Sequence, residues 1–273
     1  MLSAARPLLL VGGGKMGNAL LAGWLRGGLP REAVLVVEPG DEQRSTLASA
    51  HGVKAVPAAA DLPTNARPGA LVLAVKPQVM DATLPPYRRH LESDTLVVSI
   101  AAGKPIALFE RTLGAAMGIV RAMPNTPAAV GRGVTVLCAN QAASQAQREL
   151  AERLMAAVGS VHWIADEDLM HAVTAVSGSG PAYLFYLIEA LAAAGAAAGL
   201  PRALAMELAR DTVTGAGELA ARSADGPGQL RAAVTSPGGT TAAALAVLMA
   251  EDGLEPLLAR AVAAAAARSR ELA

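Results

Sequence analysis

Three glycines at positions 12, 14 and 17, in the stretch LLLVGGGKMGNALLAGWL, restrict what this chain can fold into more than any other feature. An apolar run ends at Val11, the glycines follow at once, and helix-compatible sequence begins near Lys15. A buried strand that passes straight into a helix must turn tightly, and this spacing supplies the parts. Gly12 permits the turn, Gly14 leaves the backbone bare for the approach of a pyrophosphate, and Gly17 lets helix meet strand. A second run, VLVVE at 34–38, ends in Glu38, 21 residues after Gly17, where an acid accepts hydrogen bonds from an adenosine ribose. That carboxylate repels a 2′-phosphate and so favours NAD(H), while Arg44 stands near enough to offset the charge; NADP(H) and NAD(H) both stay open as cofactors.

Short β-rich runs recur to about residue 164: ALVLAV at 70–75, LVVSIAA at 96–102, GIVRAM at 118–123, VTVLCA at 134–139 and VHWI at 161–164. Continuous apolar runs separated by helix-compatible segments read as parallel strands buried on both faces. From about residue 165 the texture turns to Ala, Leu, Glu and Arg with few β-branched clusters, which favours helix throughout. Pro181 and Pro201 stand where helices begin, and Gly199 closes the helix between them. The expected fold is α/β: a Rossmann-type doubly wound parallel sheet over 1–164, then an all-helical domain over 165–273. The alanine-rich helices of 186–221 hold too few large side chains for a self-contained core, which predicts packing against a second copy, a homodimer.

Lys and Arg number 23 and so do Asp and Glu, so no basic field attracts nucleic acid or an anionic membrane. The opening apolar stretch is too short for a signal-peptide core, and Glu189, Arg202 and Arg260 interrupt the Ala-rich stretches, so no membrane span is expected. The one cysteine, Cys138, lies in an alternating VTVLCAN and is expected to be a buried small hydrophobe in a reducing cytoplasm. The four histidines show no metal spacing, and neither a nucleophile elbow nor a G-x-x-x-x-G-K-[ST] loop is present. Hydride chemistry on a small molecule is the option left.

AVKPQ at 74–78 and MPNTPA at 123–128 stand just past strand ends, at the edge where open α/β sheets hold ligands. This places Ala74, Val75, Lys76, Pro77, Met123 and Asn125 beside the cofactor, together with Ala101 at the end of LVVSIAA and Lys15 and Met16 of the first turn. Two glycine-serine turns open helices in the second half, SGSGPAY at 177–183 and TSPGGTT at 235–241. Unpaired N–H groups at such a start favour a carboxylate, and the second turn carries more glycine and hydroxyl than a cap requires.

In these motifs, GGGKMGNAL, AVKPQ, VVSIAAG, RAMPNTPA, AVTAVSGSGPAYLF, AAGLPRALA and VTSPGGTTAAAL, the chain resembles pyrroline-5-carboxylate reductase over nearly its whole length. The resemblance implies reduction of 1-pyrroline-5-carboxylate to L-proline by a dinucleotide domain facing a helical dimerisation domain, with dimers assembling further. It implies that N–H groups near Gly239, Thr240 and Thr241 hold the substrate carboxylate and that the Thr241 hydroxyl lies beside the ring nitrogen. Ser236 and Glu167 match family positions near the pocket. The chain departs from the family at Lys15, where a polar amide is common, and at Ala58–Ala60, which lacks an asparagine used near the ribose; His171 and Ala193 replace frequent aspartates. A related β-hydroxyacid dehydrogenase or imine reductase shares the two-domain plan, but such dehydrogenases rely on a lysine after GSGP and this stretch has none. A non-catalytic dinucleotide sensor would tolerate a degraded turn at 235–241, which is intact.

Overall fold

The computed structural model describes residues 2–272 and divides into two compact units. One runs to Gly178 and takes back the C-terminal segment from Ala266; the other is Ser179–Ala265.

The first unit is built on an eight-stranded sheet in the order β3-β2-β1-β4-β5-β6-β7-β8. In chain order its elements are β1 (Leu8–Val11), α1 (Lys15–Arg26), β2 (Val34–Val37), α2 (Asp41–His51), β3 (Lys54–Val56), β4 (Ala70–Leu73), α3 (Met80–Thr83), β5 (Leu96–Ser99), α4 (Ile106–Leu113), β6 (Gly118–Met123), β7 (Gly133–Ala139), α5 (Gln145–Ala156), β8 (Gly159–Trp163) and α6 (Met170–Val173). The first six strands are parallel, as the unbroken apolar runs of all but β3 imply. Successive side chains alternate between two cores. Leu8 and Leu10 pack with Leu20, Leu21 and Trp24 of α1, Leu47 of α2 and Met155 of α5. Leu9 and Val11 pack on the opposite face with Met80, Phe109 and Met170.

Two features of the sheet differ from the sequence reading. β3 is an edge strand of three residues without an apolar run, so periodicity gave no sign of it. β7 runs antiparallel to β6, and β8 pairs parallel to β7, so the last two strands oppose the first six. The cause is the connection, residues 124–132, which is shorter than the dozen or so residues a parallel crossover needs. Cys138 on β7 is buried as expected, and burial pushes its thiol pKa up.

Asn140 holds this reversal in place. Its Oδ1 accepts from the N–H groups of Ile119 and Ala143, both at 3.0 Å, and its Nδ2 donates to the Met117 carbonyl and the Glu110 carboxylate. Every hydrogen-bonding position of a buried amide is thus used.

α6 passes through a π-helical turn, Thr174–Gly178, at the end of the first unit. The second unit holds α7 (Gly180–Ala197), α8 (Arg202–Arg222), α9 (Pro227–Ala233), α10 (Thr240–Leu248) and most of α11 (Leu254–Glu271). Gly199 takes a φ of +104° between α7 and α8, the left-handed stop expected of it. Among the described residues of this unit the buried hydrophobics are three alanines, Ala192, Ala205 and Ala209. Leu184, Phe185, Tyr186, Leu208, Val247 and Met249 are exposed.

Asn140→Leu should lower unfolding free energy by about 2–4 kcal/mol, because two buried N–H groups and a carbonyl lose partners while the number of side-chain heavy atoms stays the same. Urea denaturation at fixed protein concentration checks this, and a midpoint equal to the parent's would contradict it.

Candidate active site

The carboxyl edge of the parallel strands gathers the first unit's candidate residues. β1 leads into Gly12, whose N–H donates to the Val37 carbonyl at 2.8 Å and whose φ is +96°. A methyl on Gly17 would stand 2.1 Å from the Gly12 carbonyl oxygen, and one on Gly12 would stand 2.7 Å from the Ala74 oxygen. Both glycines are therefore demanded by the protein's own packing. A methyl on Gly14, in contrast, would meet no described heavy atom within 4 Å. Bare backbone at that point faces open space at the positive end of the 12-residue α1, beside the N–H groups of Lys15 and Met16. The cradle fits the pyrophosphate of a dinucleotide.

Glu38 lies just past β2. Its Oε2 accepts from the Gly13 N–H at 2.7 Å and its Oε1 from the Gly40 N–H at 2.9 Å. One bond to each oxygen leaves acceptor capacity for ribose hydroxyls. Arg44 does not answer this carboxylate. Its guanidinium donates to the carbonyls of Glu38 and Pro39, at 3.0 and 3.2 Å, and pairs with Asp41. The carboxylate charge past the end of β2 is thus not paired by Arg44.

Ala74 and Val75 are half-buried against the glycine turn, and Lys76 is exposed ahead of Pro77, which opens a short 3-10 turn. Ala101 is buried past β5 and Met123 is half-buried at the end of β6, where its terminal carbon lies against Gly178. Asn125 does not face open space as its loop position suggested. It is 8% exposed, its Oδ1 accepting from the Val134 N–H at 2.8 Å and its Nδ2 donating to the Ser177 carbonyl at 3.1 Å. It clips the start of β7 to the π-helical turn.

Glu167 is likewise occupied. Its Oε1 accepts from Arg121 and from the Ile106 N–H, each at 2.9 Å, so it caps α4 and pairs a guanidinium whose side chain is 5% exposed. Sequence reasoning missed Arg121, although a charge inside GIVRAM signals a buried partner. It also missed Gln43, which donates to the Gly13 carbonyl at 2.7 Å; a polar residue on a polar helix gives no such signal.

In the second unit, the turn after α9 places Ser236, Pro237, Gly238 with φ +69°, and Gly239 at the N-cap of α10. The Gly239 N–H donates to the Ser236 carbonyl at 3.0 Å, closing the turn. Among the described residues no side chain caps α10, so the donors of Thr240 and Thr241 open its first turn and the hydroxyls of Ser236, Thr240 and Thr241 are not spent on it. Such a turn suits a carboxylate with a hydrogen-bonding neighbour. His171, read as a replacement for an aspartate, pairs through Nδ1 with the Ser269 hydroxyl at 3.0 Å. No group of three metal-ligating side chains occurs among the described residues.

Comparison with known proteins brings these two sites under one description. Residues 167–272 match the family model "Pyrroline-5-carboxylate reductase dimerisation", and residues 8–103 match "NADP oxidoreductase coenzyme F420-dependent". The pyrroline-5-carboxylate reductase of Pseudomonas aeruginosa is 42% identical over 97% of this chain and 96% of its own. This chain belongs to the pyrroline-5-carboxylate reductase family. The reductase of Pisum sativum is 39% identical over 100% of this chain and 98% of its own. Among solved structures, a pyrroline-5-carboxylate reductase from Coxiella burnetii aligns with a TM-score of 0.92 at 36% identity, covering 98% of this chain and 99% of that one. A Plasmodium falciparum pyrroline carboxylate reductase with NADP bound aligns at 0.82 and 30% identity, covering 98% of each. Glu189 does not make α7 unfit for a bilayer: Glu167–Ala197 is, by length and composition alone, long and apolar enough to cross a membrane. The same exposed apolar stretch lies inside the segment that matches the family's dimerisation model.

Gly14→Leu should leave the melting temperature within about 2 °C of the parent, since the new side chain enters open space, yet abolish dinucleotide binding. Gly17→Leu should prevent folding of the first unit, as its Cβ collides with backbone. Circular dichroism melts with NADH fluorescence titration check both; unchanged affinity in Gly14→Leu would place the cradle elsewhere.

Proposed function

We propose that this chain reduces the C=N bond of 1-pyrroline-5-carboxylate to give L-proline, the last step of proline biosynthesis, with NADPH or NADH as reductant. The observation that carries this reading is the uncapped start of α10 with hydroxyls beside it, in a chain that also holds the bare Gly14 cradle. Its 42% identity to a reductase of that name over almost the whole chain supports it.

When bound, the nicotinamide supplies the hydride. The chain's own groups bind and aim. Gly12, Gly14, Lys15, Met16 and Gly17 seat the pyrophosphate; Glu38 accepts from the ribose; Ala74, Val75, Lys76, Pro77, Ala101 and Met123 line the strand ends beyond. Asn125 and Glu167, whose polar atoms hold Ser177, Val134, Arg121 and Ile106, support that edge. N–H groups of Gly239, Thr240 and Thr241 receive the substrate carboxylate, and Ser236 flanks it. The Thr241 hydroxyl meets the imine nitrogen, either donating the proton that balances the hydride or orienting an iminium that already carries it. Alignment does most of the work, because reacting atoms must be held about 3–3.5 Å apart.

The protein works as a homodimer, and dimers assemble further. A unit whose buried hydrophobics are three alanines, while Phe185 and Tyr186 are 61% and 71% exposed, needs another surface to cover it. The one cysteine, buried and unpaired, fits a cytoplasmic enzyme.

Purified protein with 1-pyrroline-5-carboxylate should consume NADH or NADPH and form proline; no oxidation of either at millimolar substrate would refute the assignment. Thr241→Ala should lower turnover about 10- to 1,000-fold without dissociating the dimer. Phe185→Glu should lose assembly and activity together, as read by light scattering with parallel rates; a fully active monomer would overturn the dependence of the site on the dimer.

A further inference from the structure

The sequence GGGK at 12–15 poses a mechanical problem. Consecutive glycines take almost any backbone conformation, so a peptide between two of them is free to flip. A flip of the Gly13–Gly14 peptide would turn a carbonyl oxygen where the cradle needs an N–H. Gln43, the third residue of α2, is placed to prevent this: its Nε2 donates to the Gly13 carbonyl at 2.7 Å. That peptide is trans, and in a trans peptide the carbonyl and the following N–H point to opposite sides. Holding the Gly13 carbonyl toward α2 therefore aims the Gly14 N–H away from α2, at a residue that leaves open space where a side chain would stand. The preceding peptide is held as well, because Glu38 accepts from the Gly13 N–H at 2.7 Å. Leu47 of α2 backs the pair, its Cδ1 standing 2.2 Å from where a methyl on Gly13 would be.

We infer that Gln43 is a positioning residue for the cofactor: through the Gly13 carbonyl it sets the direction of the Gly14 N–H that receives the pyrophosphate. The inference rests on the dinucleotide reading of this turn. It separates the jobs of two neighbouring residues. Gln43 acts on the pyrophosphate, which NADH and NADPH share, whereas Glu38 acts on the ribose, where they differ.

The test is steady-state kinetics of the full-length oligomer with each cofactor in turn, on Gln43→Met, which keeps length but has no donor, and on Gln43→Glu, which keeps shape but turns an acceptor toward the carbonyl. Gln43→Met should raise the KM of NADH and of NADPH by a common factor of about ten, the worth of one hydrogen bond to an aligned group. Its kcat, substrate KM and ligand-free melting temperature should stay near the parent's, which a merely structural role would not predict. Gln43→Glu should exceed it, and Glu38→Ser should instead change the ratio of the two cofactors in favour of NADPH. A cofactor KM in Gln43→Met within about twofold of the parent's, or a loss confined to one cofactor, overturns the inference. If the parent turns over no 1-pyrroline-5-carboxylate, the function assignment has failed; direct fluorescence titration with NADH and NADPH then decides the Gln43 inference by the same common factor.

Discussion

The close approach of α1 to the end of β1 is the constraint on which the first unit depends. With the Gly12 carbonyl oxygen 2.1 Å from where a methyl on Gly17 would sit, the helix can take this seat only because Gly17 has no side chain. The seat decides two things together. It brings Leu20, Leu21 and Trp24 onto the sheet, where the Trp24 indole donates to the Leu154 carbonyl at 2.7 Å and so ties α1 to α5. It also points the helix's unpaired N–H groups across the edge where β1 and β4 end. Core and exposed helix start are consequences of one contact.

Around that edge, polar side chains hold backbone groups that the sheet leaves over. Glu38 and Gln43 hold the two peptides of Gly13, Asn125 holds the start of β7 against the π-helical turn, and Glu167 caps α4 while pairing Arg121. Removing Glu167 would leave the Arg121 guanidinium, 5% exposed, without its partner in the interior, which costs about 3–5 kcal/mol. A site whose loops are fixed this way needs little reorganisation when ligand arrives.

The second unit follows a different logic. Small side chains let α7 and α8 lie close but bury little area, so most of its apolar surface remains outside. Its useful feature is local: a glycine-rich turn delivering an uncapped helix start with hydroxyls alongside. Its exposed leucines and aromatics lie within the segment that matches the family's dimerisation model.

The fold class, the strand-turn-helix unit, the stop at Gly199 and the helix start at Thr240 were legible in the chain because each is set by residues within a few positions of one another, through backbone sterics and hydrophobic run length. The gathering of the first unit's candidate residues on one edge followed from that parallel order. What the sequence did not disclose is whom its polar side chains would meet. Arg44 found Asp41 and backbone carbonyls instead of the Glu38 carboxylate, and Asn125 turned inward. Glu167 reached Arg121 and Ile106, 46 and 61 residues away. The reversal of β7 and β8 likewise hung on the length of one connection and on Asn140 closing it. Such choices belong to the tertiary structure, because a buried hydrogen-bonding group pairs with whatever the packed backbone brings within about 3 Å, and sequence separation does not measure that distance.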